Sequence, residues 1–175
     1  MKEIDFKELH FNPFTLIGGE WMLASAGTPD ACNTMTVSWG HLGCLWGHND
    51  PTAVIYIRES RFTKQFIDRE DRFTLCVMPD SFKKQMAYLG SKSGRDENKI
   101  EKAGLTPVFA DGTVYFEQAK LVLVCKKMFH QQLDKSGFQY QETLDANYAN
   151  GDYHTMYVGK IEKILVRDDE YLKIE

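Results

Sequence analysis

Long apolar runs are missing from this 175-residue chain, and no stretch has the length of a membrane-spanning helix. A run such as Leu121 to Cys125 is strand-sized, and the opening MKEIDFKELHF lacks the uninterrupted apolar core of a signal peptide. Cysteine is scarce. Cys32, Cys44, Cys76 and Cys125 are widely spaced and form no CxxC pair, so reduced thiols packed as small hydrophobes in a cytoplasmic protein are the expectation. A basic tract is lacking too: the net charge is −4 and the pI near 5.8, which argues against general nucleic-acid binding. Local Arg/Lys clusters can still hold a small anion. No repeat, low-complexity segment or linker divides the chain, so residues 1–175 are expected to form a single domain. Apolar residues at 43% and charged residues at 26% are enough for a core of ordinary size.

What is present is mostly period-two patterning, the mark of strands. Strands are expected at Glu20 to Ala26, Thr34 to Gly40, Ala53 to Ile57, Phe73 to Val77, Val114 to Phe116, Leu121 to Met128 and His154 to Val166, the last with a bend near Gly159. Three short helices are expected: one capped by Ser60 with Phe62 and Phe66 on one face, one from Pro79 carrying Phe82, Met86 and Leu89 and ended by Gly90, and one over Glu97 to Ala103 closed by Gly104. Phe138 to Gly151 is polar and turn-rich. Strands dominate and helices do not alternate with them, which predicts an antiparallel barrel with inserted helices and not a doubly wound sheet.

Five segments could carry chemistry. Arg58-Glu59-Ser60-Arg61-Phe62-Thr63 lies where a strand ends and a helix begins, and Arg58, Arg61 and the Thr63 hydroxyl beside a helix start suit a phosphate. In Asn33 to Gly40, one strand face would offer Thr34, Thr36 and Ser38, the other Met35, Val37 and Trp39, and Gly40 would admit a flat ligand to the backbone. Read alone, that segment favours an ordinary strand with a polar solvent face over a ligand wall. Ser91-Lys92-Ser93-Gly94-Arg95-Asp96, with Lys99 after it, is a basic loop but lacks the Walker ending. His41, Cys44 and His48 are three candidate metal ligands in eight residues, broken by two glycines. His154 opens the last strand; no catalytic triad or carboxylate pair accompanies it.

Taken in order, NTMTVSWG (33–40), Pro51 with AVIYIRESRFT (53–63), FTLCVMP (73–79), LGSKSGRDENK (89–99) with AGLTP (103–107), VYFEQAKLVLVCK (114–126) and GDYHTMYVGKI (151–161) resemble the flavin-reductase-like, FMN-binding split-barrel family. The likeness spans roughly residues 13 to 167. It implies a mainly β, antiparallel split barrel of Greek-key type with a few short inserted helices. It also implies FMN as cofactor, with contacts from Asn33, Thr34, Met35, Thr36, Ser38, Trp39, Gly40, Arg58, Arg61, Thr63, Ser93, Arg95 and Lys99, and His154 as the candidate catalytic residue. The implied activity is an NAD(P)H:flavin oxidoreductase, with NADH or NADPH giving hydride to FMN N5 and the flavin carrying the redox chemistry. The alternative is a flavoredoxin-like FMN electron carrier reduced by a protein partner. A lesser alternative is a non-redox barrel for an anion or for a metal at His41, Cys44 and His48. A homodimer with FMN near its interface is implied. Lys160 stands where the family often has Glu, and the segment from His41 to His48 departs from the family pattern.

Overall fold

The computed structural model describes residues 1–167 and 171. Ten strands and five short helices follow in the order β1 (Lys2–Ile4), α1 (Pro13–Thr15), β2 (Met22–Gly27), β3 (Cys32–Val37), β4 (Gly40–Cys44), β5 (Pro51–Arg58), α2 (Phe62–Arg69), β6 (Arg72–Val77), α3 (Lys83–Ser91), α4 (Lys99–Lys102), β7 (Pro107–Ala110), β8 (Thr113–Phe116), β9 (Leu121–Gln132), α5 (Gln141–Tyr148) and β10 (His154–Val166). Every strand pairing is antiparallel. The main sheet runs β3-β2-β6-β9-β10-β5-β4, with β1 added beside β10, while β7 and β8 form a separate hairpin. This sheet coils into a split barrel whose two terminal strands, β3 and β4, are adjacent in sequence. The expected fold class holds.

The central strands explain why their sequences read as nearly continuous apolar runs. Residues of β2, β6 and β9 are buried on both faces. Met22, Ala24, Phe73, Leu75, Leu121 and Leu123 fill the barrel with Met35, Val37 and Tyr157. Leu23, Cys76, Val122 and Val124 point outward and are covered by Met86 and Leu89 of α3, Ile100 of α4 and Phe116 of β8. β10 keeps its whole expected span, and its bend is a register shift between Val158 and Gly159 against β9.

Several expectations are corrected. Ser60 does not cap α2; its hydroxyl and amide both bond the Asp152 carboxylate, at 2.7 and 3.1 Å, and Arg61 takes the cap position. Gly90 does not end α3, which continues to Ser91. The segment 138–151 holds a helix, α5, and the His41 segment begins as edge strand β4. Cys76 and Cys125 are buried as expected, but Cys44 is exposed. Among the described residues no helix is long and apolar enough to cross a membrane.

Candidate functional site

Three segments converge at the start of α2. Helix α2 begins without a side-chain cap; the Lys64 amide donates to Arg61 O at 3.1 Å, and among the described residues no side chain takes up the amides of Phe62 and Thr63 ahead of it. Arg61 donates to Gly90 O at 3.2 Å, and Arg95 donates to Ser60 O at 3.2 Å while its guanidinium lies 4.8 Å from the Phe62 ring centre. Arg58 donates to Asn147 O and Asp152 O at 3.1 and 2.7 Å. Among the described residues none of these arginines forms an ion pair with a carboxylate. Cations that bond only neutral carbonyls beside an uncapped helix start make a field suited to a dianion.

Strand β3 borders this field. The buried Asn33 amide donates to Thr63 Oγ1 at 3.0 Å, joining two expected site residues across the fold. Gly94 packs against the same Asn33: a Cβ there would stand 2.5 Å from Asn33 Oδ1, so only glycine lets the loop approach so closely. Ser93 accepts from the Arg95 amide at 3.2 Å, which shapes the loop. Lys99 is 3% exposed, with its ammonium on Leu89 O and Lys92 O at 2.8 and 3.0 Å.

The expectation that Thr34 and Thr36 turn their hydroxyls to a ligand is corrected. Thr34 sits in a buried pair with Ser25 at 2.7 Å and donates to Ala24 O, while Thr36 donates to Met86 O at 2.5 Å beneath α3. Met35 points into the barrel. Since β3 ends the sheet, what these three residues can offer on the open side is backbone.

Beyond β3 the chain opens into a cleft of about 770 Å³, lined by Phe14, Ile17, Ser38, Trp39, Gly40, His41, Leu42, Tyr56 and Tyr148 among others. The Trp39 ring lies 4.8 Å from that of His154, and Tyr148 OH is 2.8 Å from His154 Nδ1. Tyr148 lines this cleft and was not singled out in the sequence, and the same holds for Phe14 and Tyr56. Tyr148 lay in a segment with no strand or helix signal, and the one available hint was its aromatic character near His154.

Burial, with Arg58 as the leading charge, pushes His154 down to about 4. The ring is therefore neutral at physiological pH and cannot serve there as a cationic acid. An NMR titration is expected to show His154 unchanged from pH 8 to 5 and protonating near pH 4; a midpoint near 6.5 would contradict the burial seen here. The sign for stability follows. Below the usual value near 6.5 the unfolded chain takes the proton first, so this residue's contribution is present above pH 6.5 and fades toward pH 4.

The remaining constellation does not assemble. Cys44 contacts the His48 carbonyl at 3.9 Å, and no group of three metal-ligating side chains forms among the described residues. Lys160 ion-pairs with Asp50 at 2.6 Å beside the β4–β5 connection.

Comparison with known proteins adds an independent line. The profile of the flavin reductase like domain matches residues 15–173. No curated protein sequence matches the chain. Among solved structures, flavoredoxin of Desulfovibrio vulgaris (Miyazaki F) is similar with a TM-score of 0.66 at 20% identity, over 99% of this chain and 83% of that one. Nitrilotriacetate monooxygenase component B from Bacillus cereus gives 0.67 at 16% identity, over 99% and 85%. An FMN-binding protein from Thermus thermophilus with bound 1-cyclohex-2-enone gives 0.65 at 18% identity, over 90% and 73%.

Proposed function

Because the chain belongs to the flavin reductase-like domain family, we propose that it binds FMN across the split of its barrel and acts as an NAD(P)H-dependent flavin reductase. The observation that carries the FMN reading is the uncapped start of α2 with Arg58, Arg61 and Arg95 around it, none of them neutralised by a carboxylate among the described residues. A phosphate fits this donor set. Thr63 is held by Asn33 at the same place, and Gly94 completes the cradle. The ring end falls to Ser38, Trp39 and Gly40, where an apolar, aromatic cleft suits a flat ligand. FMN bound there would supply the redox chemistry. The protein's own task is binding, orientation and the exclusion of water. The neutral His154, bonded to Tyr148 and tilted against the Trp39 ring, gives the ring end a polar group without a charge.

A second reading has its own observation. The residues lining the apolar cleft include no Arg or Lys to meet the phosphates of a nicotinamide dinucleotide. That favours an electron carrier reduced by a protein partner, and one structural relative is a flavoredoxin by name. Anaerobic rapid mixing decides between the two. A reductase loses its flavin absorbance near 450 nm on mixing with NADH or NADPH, with saturation in the nucleotide. FMN that stays oxidised with both nucleotides excludes the reductase and leaves the carrier.

The assembly proposed is a homodimer in the cytoplasm, with the cleft at the interface. Phe14, 86% exposed, and Trp39, 44% exposed, rim the cleft and would be covered by a second copy. Sedimentation as a monomer at micromolar concentration would remove that part.

A further inference from the structure

We propose that Lys99 is a positioning residue, whose ammonium ties the Lys92–Arg95 loop to the C-terminal end of α3 and so presents Ser93, Gly94 and Arg95 to an anion at the start of α2. The anion is the phosphate of the FMN reading above, on which this part rests. The tie itself is a property of the chain alone.

Lys99 opens α4, yet its side chain is 3% exposed and turned toward α3. Its Nζ reaches Leu89 O in the last turn and Lys92 O at the C-cap, at 2.8 and 3.0 Å. A helix end leaves such carbonyls without amide partners and carries a partial negative charge, so it can accommodate a buried ammonium. No carboxylate takes that role: Glu97, two residues earlier, is held by Lys102 at 2.5 Å. The charge that faces Lys99 is Arg61, from the start of α2, whereas Lys92 offers only its backbone carbonyl. Both ends of the tie lead to the anion field. Gly90 O accepts from Arg61, and Ser93 shapes the backbone that places Arg95 over Phe62. Lys99 thus acts on a bound phosphate through the loop, with two of its three donors held by backbone carbonyls.

The geometry also carries a linkage. Burial, then the nearby Arg61, hold Lys99 down to about 8. An anion that neutralises Arg61 relieves that repulsion, so binding near pH 8 draws a proton onto Lys99, and losing that proton weakens binding equally.

Hydrogen exchange on the flavin-free full chain reads the tie directly. In K99M the amides of Lys92, Arg95 and Asp96 are expected to exchange about tenfold faster or more, with β9 unchanged, because local opening replaces a bonded loop. K99R keeps the charge and stays close to wild type. Wild type is expected to loosen at the same amides as pH passes about 8, after correction for intrinsic exchange, which needs no variant. FMN titration is the second arm. K99M should bind about tenfold more weakly, the loss of one charged hydrogen-bonding group, and should lack the weakening above pH 8 expected of wild type. Unchanged exchange at 92–96 in K99M overturns the proposal, and so does a K99M pH profile that still turns near 8. If wild type binds no FMN, the flavin reading falls while the exchange arm still decides the tie.

Discussion

Replacing Arg61 and Arg95 together by alanine is expected to raise the dissociation constant for FMN about 100-fold and to leave that for riboflavin within about threefold. Both guanidiniums are exposed, and each bonds a single carbonyl in the protein at 3.2 Å. The fold loses little with them. A phosphate loses two charge-assisted hydrogen bonds, about 1.5 kcal/mol or more each, and 1.4 kcal/mol is tenfold in affinity. Riboflavin has the ring without the phosphate, so it separates ligand contact from structural damage. Equal loss for both ligands would mean that the arginines act through the fold. No loss for either would place the phosphate elsewhere. Arg58 is a different case: half-buried, it holds the end of α5 through Asn147 O and the chain before β10 through Asp152 O, and its ring neighbour is Tyr148 at 5.3 Å. Its removal is expected to loosen α5 as well as the site.

The second large effect is on stability. Gly159 lies at the bulge of β10, where an added Cβ would stand 2.6 Å from Phe73 Cζ and 2.8 Å from Cys125 Cβ inside the barrel. Neither neighbour is a flexible tip in open space; both are fully buried. Gly159→Val is expected to cost about 3 kcal/mol, the upper range for overpacking a filled core. That corresponds to a drop of roughly 6–12 °C in Tm for a domain of this size, read by calorimetry. Gly43→Ala, on the exposed edge strand with nothing near its Cβ, serves as the control and should stay within about 0.5 kcal/mol. An unchanged Tm for Gly159→Val would show that the bulge can open to accept the side chain.

The elements legible in the sequence are those whose burial pattern is simple. β10 keeps its span because its thirteen residues form a long, strongly β-prone run between clear breaks, and the glycine in it marks the bulge. β4 was hidden because its two glycines weaken any strand signal; pairing with β5 from Gly40↔Ile55 to Cys44↔Pro51 supplies what local preference does not. Helix α5 buries only Leu144 and Tyr148, too little for an amphipathic stripe, and a guanidinium from β5 holds its end. The lost cap at Ser60 has the same origin. Its partner, Asp152, is distant in sequence, and no local rule competes with that bond.

The site divides along the same line. Several expected neighbours do gather: Asn33 meets Thr63, Arg61 and Arg95 both bond backbone carbonyls beside the start of α2, and Trp39 meets His154, while the close approach of Gly94 to Asn33 was not foreseen. Which way each side chain turns was not legible. Alternation on β3 correctly opposed Thr34 and Thr36 to Met35 and Val37, but the hydroxyl face lies under α3 and not under a ligand. Lys99 follows the loop in sequence and faces back into the helix before it in space.

The central claim, that the split of the barrel is a flavin site anchored at the start of α2, is tested most directly by titrating the purified chain with FMN and following the flavin spectrum. The account predicts saturation at one FMN per chain with a Kd of about 1 µM or tighter, about −8 kcal/mol, and markedly weaker binding of riboflavin. No saturable binding at micromolar FMN, or riboflavin binding as tightly as FMN, would contradict it.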